Sequence, residues 1–380
     1  MKAQDTEPAP FSFGAKELVV ATELEKRLID RIKAEGPITF RDFMQTALFD
    51  SSLGYYNTER QKIGPQGDFY TSSNVHQAFG AILAKLFSEL RERSDDETLT
   101  IVELGAGTGQ LAADILSAIR DEYPSLFSRV QYLLVDTSSA MRELQREKLA
   151  GFSTKTRFCN LDELKEIRGL IFSNELFDAL PVHRALLVNG KLHELFVIVD
   201  KTGTGLSFVS SQPSTSRLEE FVSRMNVPLR EGQVVEINLD AIDLLVRIAE
   251  VLKSGFLITI DYGDEVGELW SNRKAGTVRS FYRHRLMDSP LERIGEQDIT
   301  ASVNFSALIE YGADLGFEKV GYERQTGFLI RMGLIDRIAS QYNADESLDD
   351  LQERLAVKNL LVPGGVSDSF RVLIQRKFPA

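Results

Sequence analysis

Two short stretches of this sequence carry polar residues of the types and spacing that chemistry needs. The first is Leu99 to Leu111, in which Glu103 precedes Gly105, Gly107 and Gly109. Glycines there let the backbone turn tightly and let a ligand approach without meeting a Cβ. A helix starting just beyond would aim unpaired N–H groups at that ligand. The second stretch is Ser173 to Pro181, SNELFDALP, which sets Asn174, Glu175 and Asp178 beside apolar neighbours. Glu175 and Asp178 are three apart, so a helical turn would place both on one face. A carboxylate pair can grip a guanidinium and draw its charge away from an attacking nitrogen. The competing reading is a helix start, with Asn174 as cap and the acids facing the helix dipole.

The glycine spacing narrows the ligand. A dinucleotide fingerprint runs G-x-G-x-x-G, which would require a third glycine at Gln110. The observed E-x-G-x-G-x-G instead resembles the S-adenosyl-L-methionine loop of Rossmann-like methyltransferases. Asp136 closes the next apolar run and has the type and position to accept ribose hydroxyls, or simply to cap the following helix. Asn160 and Leu161 follow the third run, where an adenine would lie, although a turn residue is expected there as well. Glu103 would reach the ligand or brace the loop. No metal is expected. His76, His183, His193 and His284 are scattered with no partner three or four residues away, and Cys159 is the one cysteine.

These residues need a scaffold, and the surrounding pattern supplies one. Apolar runs at 99–104, 130–135, 154–159 and 169–173 alternate with helical periodicity at 110–120 and up to Leu149. That alternation predicts an α/β fold, a doubly wound and mostly parallel sheet whose ligands sit beyond the strand C-termini. Glu103, Asp136, Asn160 and Asn174 each stand at or just past such an end. Further on, 183–188 and 192–199 flank Asn189-Gly190, a hairpin pattern that a strand at 206–210 can join. A helix over 239–252, a strand at 256–260 and a helix over 305–315 resume the winding. Residues 317–331 and 370–376 read as closing strands, antiparallel at the sheet edge.

Residues 1–15 read as a flexible tail and 16–98 as a helical N-terminal cap, with helices near 17–35, 39–48 and 75–90. The core is expected over 99–380, with insertions near 182–235 and 264–300. A net charge of −12 over 380 residues argues against a nucleic-acid partner. No run reaches the roughly 20 apolar residues of a membrane span. The acidic, proline-bearing start lacks a signal pattern, so a cytoplasmic setting is expected. A homodimer is compatible with the sequence but not encoded by any motif.

Six segments together resemble the MidA-like family: GPITFRDFMQTALFDSSLGYY, GDFYTSSNVHQAFG, VELGAGTGQLAADIL, SNELFDALPVHR, ITIDYG and DITASVNFSALIEYGADLGF. The resemblance spans about Gly36 to Phe328. It implies a Rossmann-like methyltransferase core, S-adenosyl-L-methionine as cofactor, and an arginine-bearing protein subunit as methyl acceptor in the manner of respiratory complex I assembly. It also implies that Gly67, Asp68 and Thr71 help close the cofactor pocket. The chain departs from the family pattern at Ser72-Ser73-Asn74 and at Ser302, where members carry S-P-E and a histidine. A methyltransferase for another acceptor, or a cofactor-binding assembly chaperone, would share the same core.

Overall fold

The computed structural model describes residues 21–58, 77–92, 98–271, 273–283, 285–340 and 366–379. The helix Glu23–Glu35 starts where Thr22 accepts the Glu25 N–H, buries Leu24, Leu28 and Ile32, and stops at Gly36 with φ 93°. Strand β1 (Ile38–Thr39) leads into the helix Phe40–Phe49, capped by Thr39. The helix Gln77–Arg91 packs against the helix Gln110–Glu122, and both belong to one apolar cluster with the main sheet. A Cβ on Gly80 would lie 2.6 Å from the Asp114 Cβ, so a glycine is what permits that close approach.

The alternating strands follow: β2 (Leu99–Leu104), β3 (Val130–Val135), β4 (Thr156–Cys159) and β5 (Ile167–Asn174). An inserted unit comes next, with β6 (His183–Val188), β7 (Lys191–Val199), β8 (Leu206–Ser211) and β9 (Val234–Ile237). It forms a second sheet, β1-β7-β6-β9 with β8 on β7, so the N-terminal segment donates a strand to it. Winding resumes at β10 (Leu252–Asp264). A three-stranded sheet of β11 (Arg279–Tyr282), β12 (Arg285–Leu286) and β13 (Asp298–Thr300) then fills what the sequence presents as irregular. Short β14 (Val303–Asn304) pairs with β10, and β15 (Phe317–Arg324) and β16 (Phe370–Lys377) close the main sheet.

The main sheet runs β15-β16-β10-β5-β2-β3-β4, with β10, β5, β2, β3 and β4 parallel and the last two strands antiparallel. The chain winds outward from β2 to β4, then returns to β5 on the other side of β2. The gap between β2 and β5 is therefore the switch point at which such sheets open a crevice. Two apolar clusters cover the two faces, one around Ile101, Tyr132 and Phe172, the other around Val102, Ile171 and Leu257. Side chains such as Phe172 and Ile258 are fully enclosed, each burial worth about 1.5–3 kcal/mol.

Two local expectations fail. The stretch 317–331 is not one strand: it bends at Arg324 into the helix Gln325–Arg331, which buries Phe328 and Leu329. The turn after Asn174 is not helical. Glu175 has φ 53°, a left-handed conformation that a helix does not admit. Its N–H donates to the Ile260 carbonyl and extends the sheet pairing by one residue.

Candidate functional site

Strand register puts the polar residues in one row. Leu104 pairs with Val135 and Ser173, Val135 with Cys159, and Asn174 with Ile260. Gly105, Asp136, Asn160, Asn174 and Ile260 thus stand at one level along the C-terminal edge, with Glu175 and Asp261 one residue beyond it. A cavity of about 860 Å³ opens there, within the roughly 300–1,000 Å³ of small-molecule sites.

On the β2–β3–β4 side the cavity is bounded by the glycine turn. Gly105, Gly107 and Gly109 all have positive φ, between 52° and 79°. A Cβ on Gly105 would lie 2.9 Å from Leu176 Cδ1, so a side chain there would narrow the space between the two loops. Glu103 is buried and accepts the Tyr132 hydroxyl at 2.7 Å. Burial pushes its carboxyl up to about 7, partly opposed by that hydrogen bond. Asp136 accepts the Ser138 N–H at 2.9 Å and the Gln145 amide at 3.2 Å. Gln145 also donates to the Gly107 carbonyl at 2.8 Å, so one amide ties the glycine turn to the acid. Burial raises the Asp136 carboxyl, and the Ser138 and Gln145 bonds work against that rise. The helix Ser139–Lys148 is capped by Ser138 itself. Asn160 accepts from Arg142 and exchanges hydrogen bonds with Glu163 around the 161–163 turn, with Leu161 beside it on the cavity wall.

Across the crevice, the loop 175–182 is suspended from the acid of the ITIDYG segment, to which the sequence alone gives no role. Fully buried Asp261, at the end of the β10 sheet core, accepts the N–H groups of Leu176 (3.1 Å), Phe177 (2.9 Å) and Asp178 (3.4 Å) through Oδ2. Its other oxygen takes the Tyr262 N–H at 2.9 Å. The Asn238 amide and the Ala301 N–H hold the carbonyls of Phe177 and Asp178 from outside. Glu175, Asp178 and Asp261 thereby crowd together. Burial lifts the Asp178 carboxyl to about 7 and raises Asp261, which the neighbouring acids raise further. Asn174 donates to Glu175 at 3.2 Å, while the buried oxygens Asn174 Oδ1 and Asp178 Oδ1 have no hydrogen-bond partner.

The remaining wall comes from distant segments. Arg41 forms a two-pronged pair with Asp240, and the Tyr56 hydroxyl donates to Asp298 at 3.0 Å. Ser138 Oγ donates to the Tyr56 carbonyl, joining the N-terminal segment to the Asp136 turn. Nothing in the spacing of Arg41, Tyr56, Asp240 or Asp298 marks them, although Arg41 and Tyr56 lie in the GPITFRDFMQTALFDSSLGYY segment and Asp298 opens DITASVNF.

The cavity brings together Glu103, Gly105, Gly107, Asp136, Asn160, Leu161, Asn174, Glu175 and Asp178. Gly109 stands just behind, at the start of the helix Gln110–Glu122. Gly67, Asp68, Thr71 and the Ser72-Ser73-Asn74 departure lie outside the described residues, as do His76 and His284. Ser302 does not line the cavity; its N–H donates to Thr277 Oγ1 at 3.2 Å. His183 pairs with Glu194 inside the second sheet. Among the described residues no group of three or more His, Cys, Asp or Glu could hold a metal ion, and no helix is long and apolar enough to cross a membrane.

The geometry suits a ligand with a polar ribose end and a cationic centre. The turn supplies space and amides, Asp136 an acceptor, and the opposite lip unpartnered oxygens in an acidic setting. Residues 79–323 match the family profile described as S-adenosyl-L-methionine-dependent methyltransferase. The mitochondrial protein arginine methyltransferase NDUFAF7 of Danio rerio is 30% identical in an alignment that covers 82% of this chain and 77% of the relative. Its Homo sapiens counterpart is 29% identical, covering 83% of this chain and 75% of its own. A crystal structure from Burkholderia thailandensis bound to S-adenosyl-homocysteine superposes with a TM-score of 0.84 at 30% identity, covering 93% of this chain and 92% of that one.

Proposed function

Because this chain belongs to the S-adenosyl-L-methionine-dependent methyltransferase family, we propose that it transfers the methyl group to an arginine side chain of a protein. That cofactor supplies the electrophilic methyl group, and the protein's part is to bind, orient and manage charge. In this reading Gly105, Gly107 and Gly109 with Asp136, Asn160 and Leu161 hold the nucleoside end. Glu103 acts behind them, bracing β2 through Tyr132.

Asn174, Glu175 and Asp178 receive the acceptor. A guanidinium is protonated at every ordinary pH, so its nitrogen attacks only when its charge is held elsewhere. Glu175 supplies that hold at the lip of β5. A proton must leave the nitrogen once it is methylated. Asp178, its carboxyl raised by burial and so a stronger base than an ordinary carboxylate, presents an unpartnered oxygen to take it. Asp261 keeps the loop in place and touches neither reactant.

The observation that carries the proposal is the pairing of Glu175 and Asp178 on the cavity wall opposite the glycine turn. Alignment and water exclusion then supply most of the acceleration of a displacement. Incubation of the full chain with labelled methyl donor and a proteome extract, followed by locating the label, tests it. Label on arginine is expected; label on lysine, on a terminus or on small molecules alone overturns it.

A further inference from the structure

The chain is strongly acidic, with a net charge of −12, yet one segment reverses that sign. Between Glu268 and Asp288 stand Arg273, Lys274, Arg279, Arg283 and Arg285, with no carboxylate among them, and all five are exposed. Three of these arginines belong to the β11–β12 hairpin. Strand β11 pairs in register with β12 on one side and β13 on the other. Tyr282 is flanked by two guanidinium groups, with Arg293 at 4.5 Å and Arg283 at 5.2 Å from the ring centroid. Arg283 stands at the hairpin turn with φ 48°, a conformation that Asn or Gly adopts at far lower cost. Leu286 beside it is 64% exposed.

The hairpin is coupled to the cavity through backbone pairing. Phe281 of β11 pairs with Asp298 of β13, which lines the cavity, and with Leu286 of β12 on its other side. Two strand spacings therefore separate the cavity wall from the outer strand, roughly 10 Å. An extended chain covers that distance in about three residues. A protein whose arginine enters the cavity can thus lay its next few residues along the hairpin.

We propose that the β11–β12 hairpin is the docking surface for an acidic stretch flanking the methylated arginine of the acceptor protein, an assignment that rests on the arginine-acceptor reading above. Charge complementarity selects a short acidic peptide segment. Such a segment feels the hairpin within one Debye length, roughly 8 Å at physiological salt. A long polyanion or an anionic membrane meets the field of the whole acidic molecule, which repels it.

The test uses the full chain with S-adenosyl-homocysteine present and two dye-labelled synthetic peptides. Each peptide has one central arginine, flanked about three to six residues away by aspartates in one and by lysines in the other. The acidic peptide is expected to bind about tenfold more tightly, with an advantage that shrinks as salt rises. Charge reversal at three positions, R279E with R283E and R285E, should invert the preference, while the three Arg→Lys changes keep it. S-adenosyl-homocysteine affinity and the melting temperature of both variants report that they are folded. Equal binding of the two peptides, or a preference that survives reversal, overturns the proposal and leaves a solvated basic face. Duplex DNA or phosphatidylserine vesicles binding more tightly than the acidic peptide overturn the choice of partner. Hairpin-dependent binding of a peptide whose arginine is never methylated would instead remove the arginine reading and leave the docking surface standing.

Discussion

The two lips of the cavity are built on opposite principles. The β2–β3–β4 lip answers its carboxylates, although Gln145 Oε1 keeps no partner: Asp136 is held by Ser138 and Gln145, Gln145 also holds Gly107, and Glu103 is answered by Tyr132. The β5–β10 lip does not. Glu175 is left-handed, Asp178 and Asp261 are acids raised by burial, Asp261 further by the neighbouring Asp178 and Glu175, and Asn174 and Asp178 each keep an oxygen without a partner. A finished lip suits a ligand that the protein binds and releases unchanged in shape. An unfinished lip suits a partner that must bring its own charge, and a guanidinium with five N–H donors does so. Strain and unpaired charge persist where function holds them against stability.

That contrast can be broken most forcefully at Asp178. The Asp178→Asn variant should lose about 10²–10⁴ in turnover, the range of one general base. The wild-type rate should fall as pH drops through about 7, where the carboxyl takes up its proton, and the variant should lose that dependence. Stability should move the other way. The folded pKa lies above the usual 3.8, so the folded wild type binds the extra proton and loses stability as pH rises from about 4 to 7. Asparagine is neutral throughout, so the variant should melt higher above pH 7 and converge with the wild type near pH 4. A variant that melts lower at pH 8 would place Asp178 among the satisfied residues.

The finished lip is tested next by Gly105→Val. The new side chain must take φ +71° and displace Leu176, so cofactor affinity should fall by about 2–3 kcal/mol or more. Calorimetry showing undiminished S-adenosyl-L-methionine binding would mean the ligand does not use the turn. Asp136→Ala is the gentler probe, expected to remove one charge-assisted contact, about 1.5–3 kcal/mol of affinity with turnover at saturation kept. Unchanged affinity would mean that Asp136 serves only Ser138 and Gln145.

The finished lip was also the legible one. Its residues fall in consecutive β–turn–α units, so hydrophobic periodicity and glycine spacing place Gly105, Asp136 and Asn160 without knowledge of distant contacts. The other lip was legible only in part. SNELFDALP stands out by composition, but its backbone is set by Asp261, more than 80 residues away, whose carboxylate collects three successive N–H groups. A local helix reading of Glu175 and Asp178 fails because those amides point at a side chain and not at a preceding turn. Arg41, Tyr56, Asp240 and Asp298 were hidden for the same reason. They are joined by tertiary pairing across about 200 residues or more, which no local pattern records.

The division of labour between the lips meets its most direct test in Glu175→Gln, measured once by calorimetry with S-adenosyl-L-methionine and once by label transfer to protein arginine. The account predicts wild-type cofactor affinity together with transfer reduced at least about a hundredfold. A variant that transfers normally, or that loses cofactor and transfer in the same proportion, would contradict it.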